Sequence, residues 1–365
     1  MKINILLNNN FFNDHCSYAF IYPIIKSLNF IKDNGVKINF FYSYKDNLFD
    51  GDILIIDSRF CGRQKNSKQF IDVLQKYKTK KLKIIFADTA DNSGQIKTDF
   101  LSFVDIYWKG QILKNKNEYM NLHYGGRLFT HYYNKTYKIK DVNEQCSDPI
   151  KDKKLLKKIK VCWNMGLCDH GTYSHIKQKL FSIFRSSIFI SNTNSFLYAD
   201  YHKKYNLSCR IETNYGRQTV EFQRKRIKIL LKKYTNTYKI SRFKYLNEMK
   251  KSKCVISPFG WGELCPRDFE TFLNGGILIK PKMDFFETWP NWYVSKENTS
   301  NKKLHTYLSF KWDLSNLENI IHSVIKKYQD LKYIAKQGQE VYMLYTKGEN
   351  SKEIFAKRFL KLIKN

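Results

Sequence analysis

Along the chain, apolar runs of strand length alternate with stretches of helical period. Residues 2–9 (KINILLNN), 36–43 (VKINFFYS), 51–58 (GDILIIDS), 82–88 (LKIIFAD) and 104–109 (VDIYWK) each read as a buried strand, rich in β-branched and aromatic residues and bounded by polar or turn residues. Between the first two, Tyr18, Ile21, Ile25, Leu28 and Ile31 recur at helical spacing, which predicts one helix stopped by Asn34 and Gly35. Residues 70–77 predict part of another. Strand and helix in alternation are expected to build an open parallel sheet, so the first half reads as an α/β unit.

From Thr130 to Lys158 the sequence turns polar and irregular, with Pro149 and then KDKKLLKKIK. This sets a first unit over 1–140 and a linker over 141–158. A second alternation follows over 159–345. Strands are expected at 159–166 (IKVCWNMG), 186–191 (SSIFIS) and 253–258 (KCVISP), and a long helix within 205–234 that buries Val220, Ile227, Leu230, Leu231 and Tyr234. Residues 346–365 close as a helix whose Ile354, Phe355, Phe359 and Leu362 can pack back on the first unit. No apolar run approaches the roughly 20 residues of a membrane span.

Residues 255–292 concentrate the unusual chemistry. Ser257, Pro258, Gly260 and Gly262 predict a loop whose backbone a ligand can approach closely. Pro266 suits a first helical turn, and Phe269, Phe272 and Leu273 give that helix a buried stripe. The same spacing puts Arg267, Glu270, Thr271 and Asn274 on the face away from the core, with Glu263 in the loop before it. A helix start offers free N–H groups and the positive dipole end to a phosphate, and a carboxylate one turn in can hold a sugar hydroxyl. The plainer alternative is an exposed ion pair between Arg267 and Glu270.

Charge adds a bias towards anions. The net charge is +31, but 53 of the 64 basic residues are Lys, in a chain also rich in Asn, Ile and Tyr. That is the signature of an AT-rich genome, and much of the charge reads as solvated lysine. Residues 1–130 carry +7 of it and the remainder +24. Arginine is scarce, so Arg210, Arg217, Arg224, Arg226, Arg242 and Arg267 stand out as candidate anion ligands. A sequence-reading nucleic-acid binder would need a continuous stripe of arginines and aromatics, so nucleic acid is expected only as a nonspecific partner, and a basic nucleic-acid-binding protein that exploits the +24 half stands as the alternative function. Eight cysteines without a CxxC pair, and no leader-like apolar stretch, lead to the expectation of reduced thiols in a cytoplasmic protein, with peripheral contact at a membrane surface left open.

Ligands of open α/β sheets gather beyond the carboxyl ends of the strands. That brings Asn10, Asp14 and His15, then Asp57 and Arg59, then Asp88 and Asp91 to one crevice, with Asp14 and His15 as candidate catalytic residues. In the second unit Gly166 would let a ligand reach the backbone, with Asp169 and His170 beside it. No GxGxxG follows the first strand, so a dinucleotide cofactor is not expected. Asp50 and Asp52 form a DxD, but they precede a strand and read as a turn, so no metal site is expected.

The run SPFGWGELCPRDFETFLNGGILIKP, with ETWPNWY after it and WNMG before it, resembles glycosyltransferases of the two-Rossmann-domain GT-B fold, especially the group-1-like and CgeB-like branch, with a looser likeness to exostosin-type enzymes. The resemblance implies two Rossmann-like domains facing a cleft. It implies a nucleotide-sugar donor bound as substrate by the second domain, with no separate cofactor, and a glycan, lipid or protein acceptor lying against the first. Glu270 would hold the nucleotide ribose and Glu263 would lie near the donor sugar. Gly166, Arg217, Ser257, Gly260, Gly262 and Arg267 would complete the donor site. The group-1 likeness implies a metal-independent, retaining hexosyl or fucosyl transfer, and the exostosin likeness an inverting one with a base in the first domain. Glu263 and Glu270 are seven positions apart where the retaining group has eight.

Overall fold

The computed structural model describes residues 1–61, 67–77, 81–190, 196–295 and 304–364. Strands β1 (Lys2–Leu6), β2 (Lys37–Phe41), β3 (Ile53–Asp57), β4 (Lys83–Asp88) and β5 (Ile106–Lys109) fall on the five expected runs. They form a parallel sheet in the order β2-β1-β3-β4-β5. Alternation along each strand divides the side chains between two cores. Ile53, Ile55, Ile85 and Trp108 face the helices α1 (His15–Lys26) and α2 (Leu28–Asp33), whereas Leu54, Ile56, Ile84 and Phe86 face α3 (Ser58–Cys61), α4 (Ser67–Tyr77) and α5 (Thr98–Leu101). The single helix expected to reach Ile31 is thus two, parted at Ser27, with Pro23 in the last turns of α1.

Beyond β5 the chain makes the short strand β6 (Gln111–Leu113) and α6 (Leu128–Tyr137), and the polar stretch then leads back to the first sheet. Strand β7 (Ile159–Val161), expected to open the second unit, pairs with β5 and becomes the sixth strand of the first sheet. The basic run before it is not merely solvated, since Lys158 Nζ donates to Leu101 O and Val104 O at 3.1 and 2.8 Å, closing the end of α5.

The second sheet is parallel. It follows α7 (Ser174–Phe184) and consists of β8 (Tyr205–Ser208), β9 (Ser252–Ile256), β10 (Ile277–Pro281) and β12 (Leu308–Phe310), in the order β12-β10-β9-β8. Strand β8 occupies residues expected to lie in or next to the long helix, which is α8 (Gln218–Leu231). The expected strand at 186–191 is instead a 3-10 turn over Ser187–Phe189, with Ser191 outside the described residues. Helices α8 and α11 (Leu317–Lys326) bury Ile227, Leu231, Ile321 and Val324 on one face of this sheet. Against the other lie α10 (Pro266–Leu273) and α12 (Tyr328–Thr346), with α9 (Arg242–Lys250) beside β8 and β9.

A short strand and the last helix help tie the halves together. Strand β11 (Phe286–Thr288) pairs antiparallel with β6, and α13 (Gly348–Lys364) returns to pack on α1 and α2. Phe355 and Phe359 of α13 meet Trp163 and Trp108, and Lys83 Nζ donates to Ile363 O at 3.0 Å. Among the described residues no helix is long and apolar enough to cross a membrane.

The return of α13 is testable. Phe359 is fully buried, so Phe359→Ala should cost about 3–5 kcal/mol in urea unfolding. Ile229→Ala, at a residue 67% exposed, should change stability by less than about 0.5 kcal/mol. Equal costs for the two variants would remove α13 from the core.

Candidate functional site

The start of α10 is the point around which the cleft is built, because Pro266 lines three cavities at once. The first, of about 240 Å³, lies between the carboxyl end of the first sheet and the loop before α10, with His15, Asp88 and Asp91 on one wall and Arg224, Gly260 and Gly262 on the other. The second, of about 400 Å³, is lined by Arg210, Arg224, Lys239, Arg242, Arg267 and Glu270. The third, of about 330 Å³, joins His15, Asp169, His170 and His175 to Arg242 and Glu270. Shared residues make the three one trough.

Local packing explains why α10 faces it. Asp268 is fully buried, accepts the Cys265 N–H at 3.2 Å and the Tyr293 hydroxyl at 2.6 Å, and pairs with buried Lys280 at 2.9 Å. This group fixes the first turn, while Phe269, Phe272 and Leu273 enter the core.

The opposite face is not the solvated surface that the sequence suggests. Glu270, Thr271 and Asn274 are buried, and Tyr245 of α9 lies against Glu270. Nor do Arg267 and Glu270 pair. Arg267 Nη2 donates to Arg210 O at 2.5 Å, and its Nε and Nη1 have no partner among the described residues. Glu270 takes the Tyr245 hydroxyl at 2.8 Å and Arg242 Nη1 at 3.3 Å.

Several expected ligand contacts prove to be packing contacts. A Cβ on Gly166 would meet the rings of Phe269 and Trp292 at 2.5 and 2.7 Å, so its missing side chain serves the core. A Cβ on Gly262 would run into Asp91 O, so the backbone approaching it is that of the first unit. Gly260 does line the first cavity, near Arg224. Ser257 is buried behind it, and its hydroxyl has no partner among the described residues. Arg217 turns to the first unit, donating to Gln145 Oε1 at 2.6 Å. Glu263 is buried away from the trough, where its carboxylate takes the Ser93 N–H and hydroxyl at 3.0 and 2.8 Å.

The first-unit candidates separate in the same way. Asp14 is the N-cap of α1, accepting from Cys16 N, Ser17 N and Asn8 Nδ2, which leaves it outside the cavity walls. Asp57 is fully buried and accepts from Ser17 and Thr89. Burial alone would raise the Asp88 carboxyl, but Lys109 at 2.6 Å and the Tyr107 hydroxyl hold it below its ordinary range. Asp91 stands in the wall, 3.6 Å from Arg127. Asp50 and Asp52 lie in the bend before β3, where Asp52 accepts the Lys2 N–H at 2.6 Å.

His15 alone of these pairs a place in the wall with a free ring nitrogen. Gln178 Nε2 donates to Phe11 O at 2.8 Å, so its Oε1 must face His15 Nδ1, 2.9 Å away. Since that oxygen can only accept, Nδ1 carries the proton and Nε2 keeps its lone pair. Nε2 is buried and has no partner among the described residues. Burial lowers the pKa of His15 from 6.5 despite Gln178 and Asp14, so the ring is neutral at pH 7. His170 is also neutral, pushed down to about 4 by burial, and donates to Met165 O. Sequence reading missed Gln178, which nothing local marks. It also missed Tyr245, although its spacing of three from Arg242 places both on one face of α9.

No family model and no curated protein matches the chain. Solved structures do. The apo lipopolysaccharide outer core galactosyltransferase WaaB overlaps it with a TM-score of 0.50 at 10% identity, covering 100% of this chain and 99% of the other. Anabaena HepE in complex with UDP and glucose (TM-score 0.45, 9% identity, 100% of both chains) overlaps less closely. So does the Thermosynechococcus elongatus sucrose-phosphate synthase (TM-score 0.44, 9% identity, 100% of this chain and 98% of the other). At 10% identity the WaaB overlap speaks for the fold alone, and with the two parallel sheets on either side of the trough it shows that this chain has the GT-B fold.

Proposed function

We propose that this protein is a glycosyltransferase that moves a sugar from a nucleotide-sugar donor to an acceptor hydroxyl. The observation that carries the reading is the second cavity, where four arginines and Lys239 gather at the start of α10 with Glu270 at its edge. Such a site suits a diphosphate flanked by a ribose. Arginine forks and the positive end of a helix match phosphate oxygens, and Glu270 can exchange Tyr245 and Arg242 for two ribose hydroxyls. The same cations meet the charge that grows on the departing diphosphate, so the transfer is proposed to be metal-independent.

His15 supports an inverting reaction over the retaining one that the group-1 likeness implies. Its Nε2 takes the proton of the acceptor hydroxyl as the acceptor oxygen bonds to the anomeric carbon. The bond from that carbon to the phosphate oxygen breaks, and its electron pair leaves with the nucleoside diphosphate. Gln178 holds the tautomer this needs. Glu263, facing Ser93, takes no part.

In a panel of nucleotide sugars, at least one should raise the melting temperature. Glu270→Gln keeps a partner for Tyr245 but loses a charge-assisted bond worth about 1.5–3 kcal/mol, so affinity for that donor should fall about tenfold or more. Parent-like affinity in this variant, or no stabilising nucleotide sugar at all, would remove the donor from this site.

The base is tested separately. His15→Ala should lower turnover by about 10²–10⁴-fold with donor affinity unchanged. In the parent, kcat/KM should be level through neutral pH and fall only on the acid side of 6.5, since burial lowers the His15 pKa and protonation removes the base. Gln178→Leu removes the bond that raises this pKa, so it should move the acid limb lower still and reduce kcat. Proton NMR of the first-formed product gives the anomeric configuration, and retention would overturn the assignment.

A further inference from the structure

We infer that the outward face of α7 docks on an anionic lipid bilayer. The inward face buries Phe181 and Gln178, the residue that holds His15. The other face presents an apolar row to solvent. Tyr173, Ile176, Ile183 and Phe184 fall at i, i+3, i+10 and i+11, with half-buried Leu180 at i+7 between them, and Ile188 continues the row past the helix end. The five exposed members are 53–74% exposed, where a helix of a soluble domain would ordinarily be polar. Phe12, 43% exposed, extends the patch from the first unit, with Lys179 Nζ 5.0 Å from its ring centre.

Charge selects the occupant. No Asp or Glu occurs between Asp169 and Asp200, whereas His175, Lys177, Lys179 and Arg185 all lie there. Asp169 is paired to Lys177, and Asp14, on the adjoining loop, is a buried cap. Asp169 and Lys177 cancel as a pair and burial holds the His175 pKa below 6.5, so Lys179 and Arg185 give the apolar row a net positive flank, which fits a surface whose headgroups are anionic and whose interior is hydrocarbon. A second copy of the chain would bring the same basic flanks together, on a molecule already at +31. Ser174 and His175, from the first turn of α7, line the third cavity, so docking would open the trough beside the lipid surface. On the sugar-transfer reading, the acceptor is then an amphiphile held in that bilayer. This last step rests on that reading, and the docking does not.

Cosedimentation of the full chain with vesicles of phosphatidylcholine, alone or mixed with phosphatidylglycerol, tests the docking without donor or turnover. Binding is expected to the mixed vesicles, to weaken with added salt, and to be slight for phosphatidylcholine alone. The triple variant Ile183→Ser, Phe184→Ser, Ile188→Ser should bind the mixed vesicles at least about tenfold more weakly, since each change removes a large apolar side chain from the interface. Its melting temperature and nucleotide-sugar affinity should match the parent. Lys179→Glu should weaken binding too. No binding to mixed vesicles, parent-like binding by the triple variant, or a dimer that the triple variant abolishes would each overturn the proposal. A failure here leaves sugar transfer standing, and a failure to bind nucleotide sugars leaves the docking standing.

Discussion

The contact between Glu263 and Ser93 fixes where the two halves of the molecule meet. Both carboxylate oxygens are occupied, by the backbone and the hydroxyl of one residue 170 positions away, in a site without solvent. Burial pushes the Glu263 carboxyl above its ordinary range, against the pull of Arg127 and Ser93, which is the signature of a group held by its surroundings. Next to it Gly262 lets Asp91 approach the backbone. Ser93 is held in turn, its carbonyl accepting the Tyr119 hydroxyl while that oxygen accepts the Leu113 N–H at the end of β6. Because β6 pairs with β11, the loop after β4, the loop before α10 and the β6–β11 ladder form one connected network. The trough keeps its shape because its two walls are bonded to each other beneath it.

This arrangement separates two carboxylates that the sequence places side by side in one motif. Glu263 and Glu270 are seven residues apart, yet the turn at Cys265 and Pro266 sends one into the joint between the halves and the other into the cavity beyond. The buried Asp268–Lys280 pair stands between them and holds that turn. A buried ion pair gives little net stability unless its remaining hydrogen bonds are made, and Tyr293 and the Cys265 N–H make them here. In this setting the pair specifies direction. It aims the first turn of α10, and with it the arginines around Pro266, at one point.

The sequence disclosed the parts whose causes are local. Strand runs such as ILIID carry their own burial pattern, and the five strands of the first half stand where the alternation puts them. Phe269, Phe272 and Leu273 marked the inward side of α10 for the same reason. What the sequence hid depends on partners far along the chain. Strand β7 follows a polar stretch that looks like a boundary, but the free edge of β5 captures it. Gly166 and Gly262 signal close approach correctly without saying of what, and the answers are two aromatic rings and a backbone carbonyl. The polar side of α10 is the plainest case. Periodicity assigns polar residues to solvent, but a helix that borders a binding cleft is covered on that side as well, and Glu270 is as buried as a core residue.

Arginine usage carries the argument one step further. In a chain where lysine supplies 53 of the 64 basic residues, several of the arginines sit where a planar group with more than one contact is needed. Arg224 donates to Phe259 O and Glu212 O while stacked 4.4 Å from the Tyr215 ring. Arg210 grips Glu248 through Nε and Nη2, and Arg358 spans from Val161 O to the Trp289 ring. A lysine ammonium, a point charge on a flexible stem, has no planar fork to offer and no flat face to stack on a ring. Arg267, which lines the second cavity, uses one nitrogen on Arg210 O, and its Nε and Nη1 have no partner among the described residues. Leaving donors of a buried guanidinium unmade is costly, and an acceptor entering the cavity would relieve that cost. Arg267 thus brings two unpartnered nitrogens to the second cavity, one residue from Pro266.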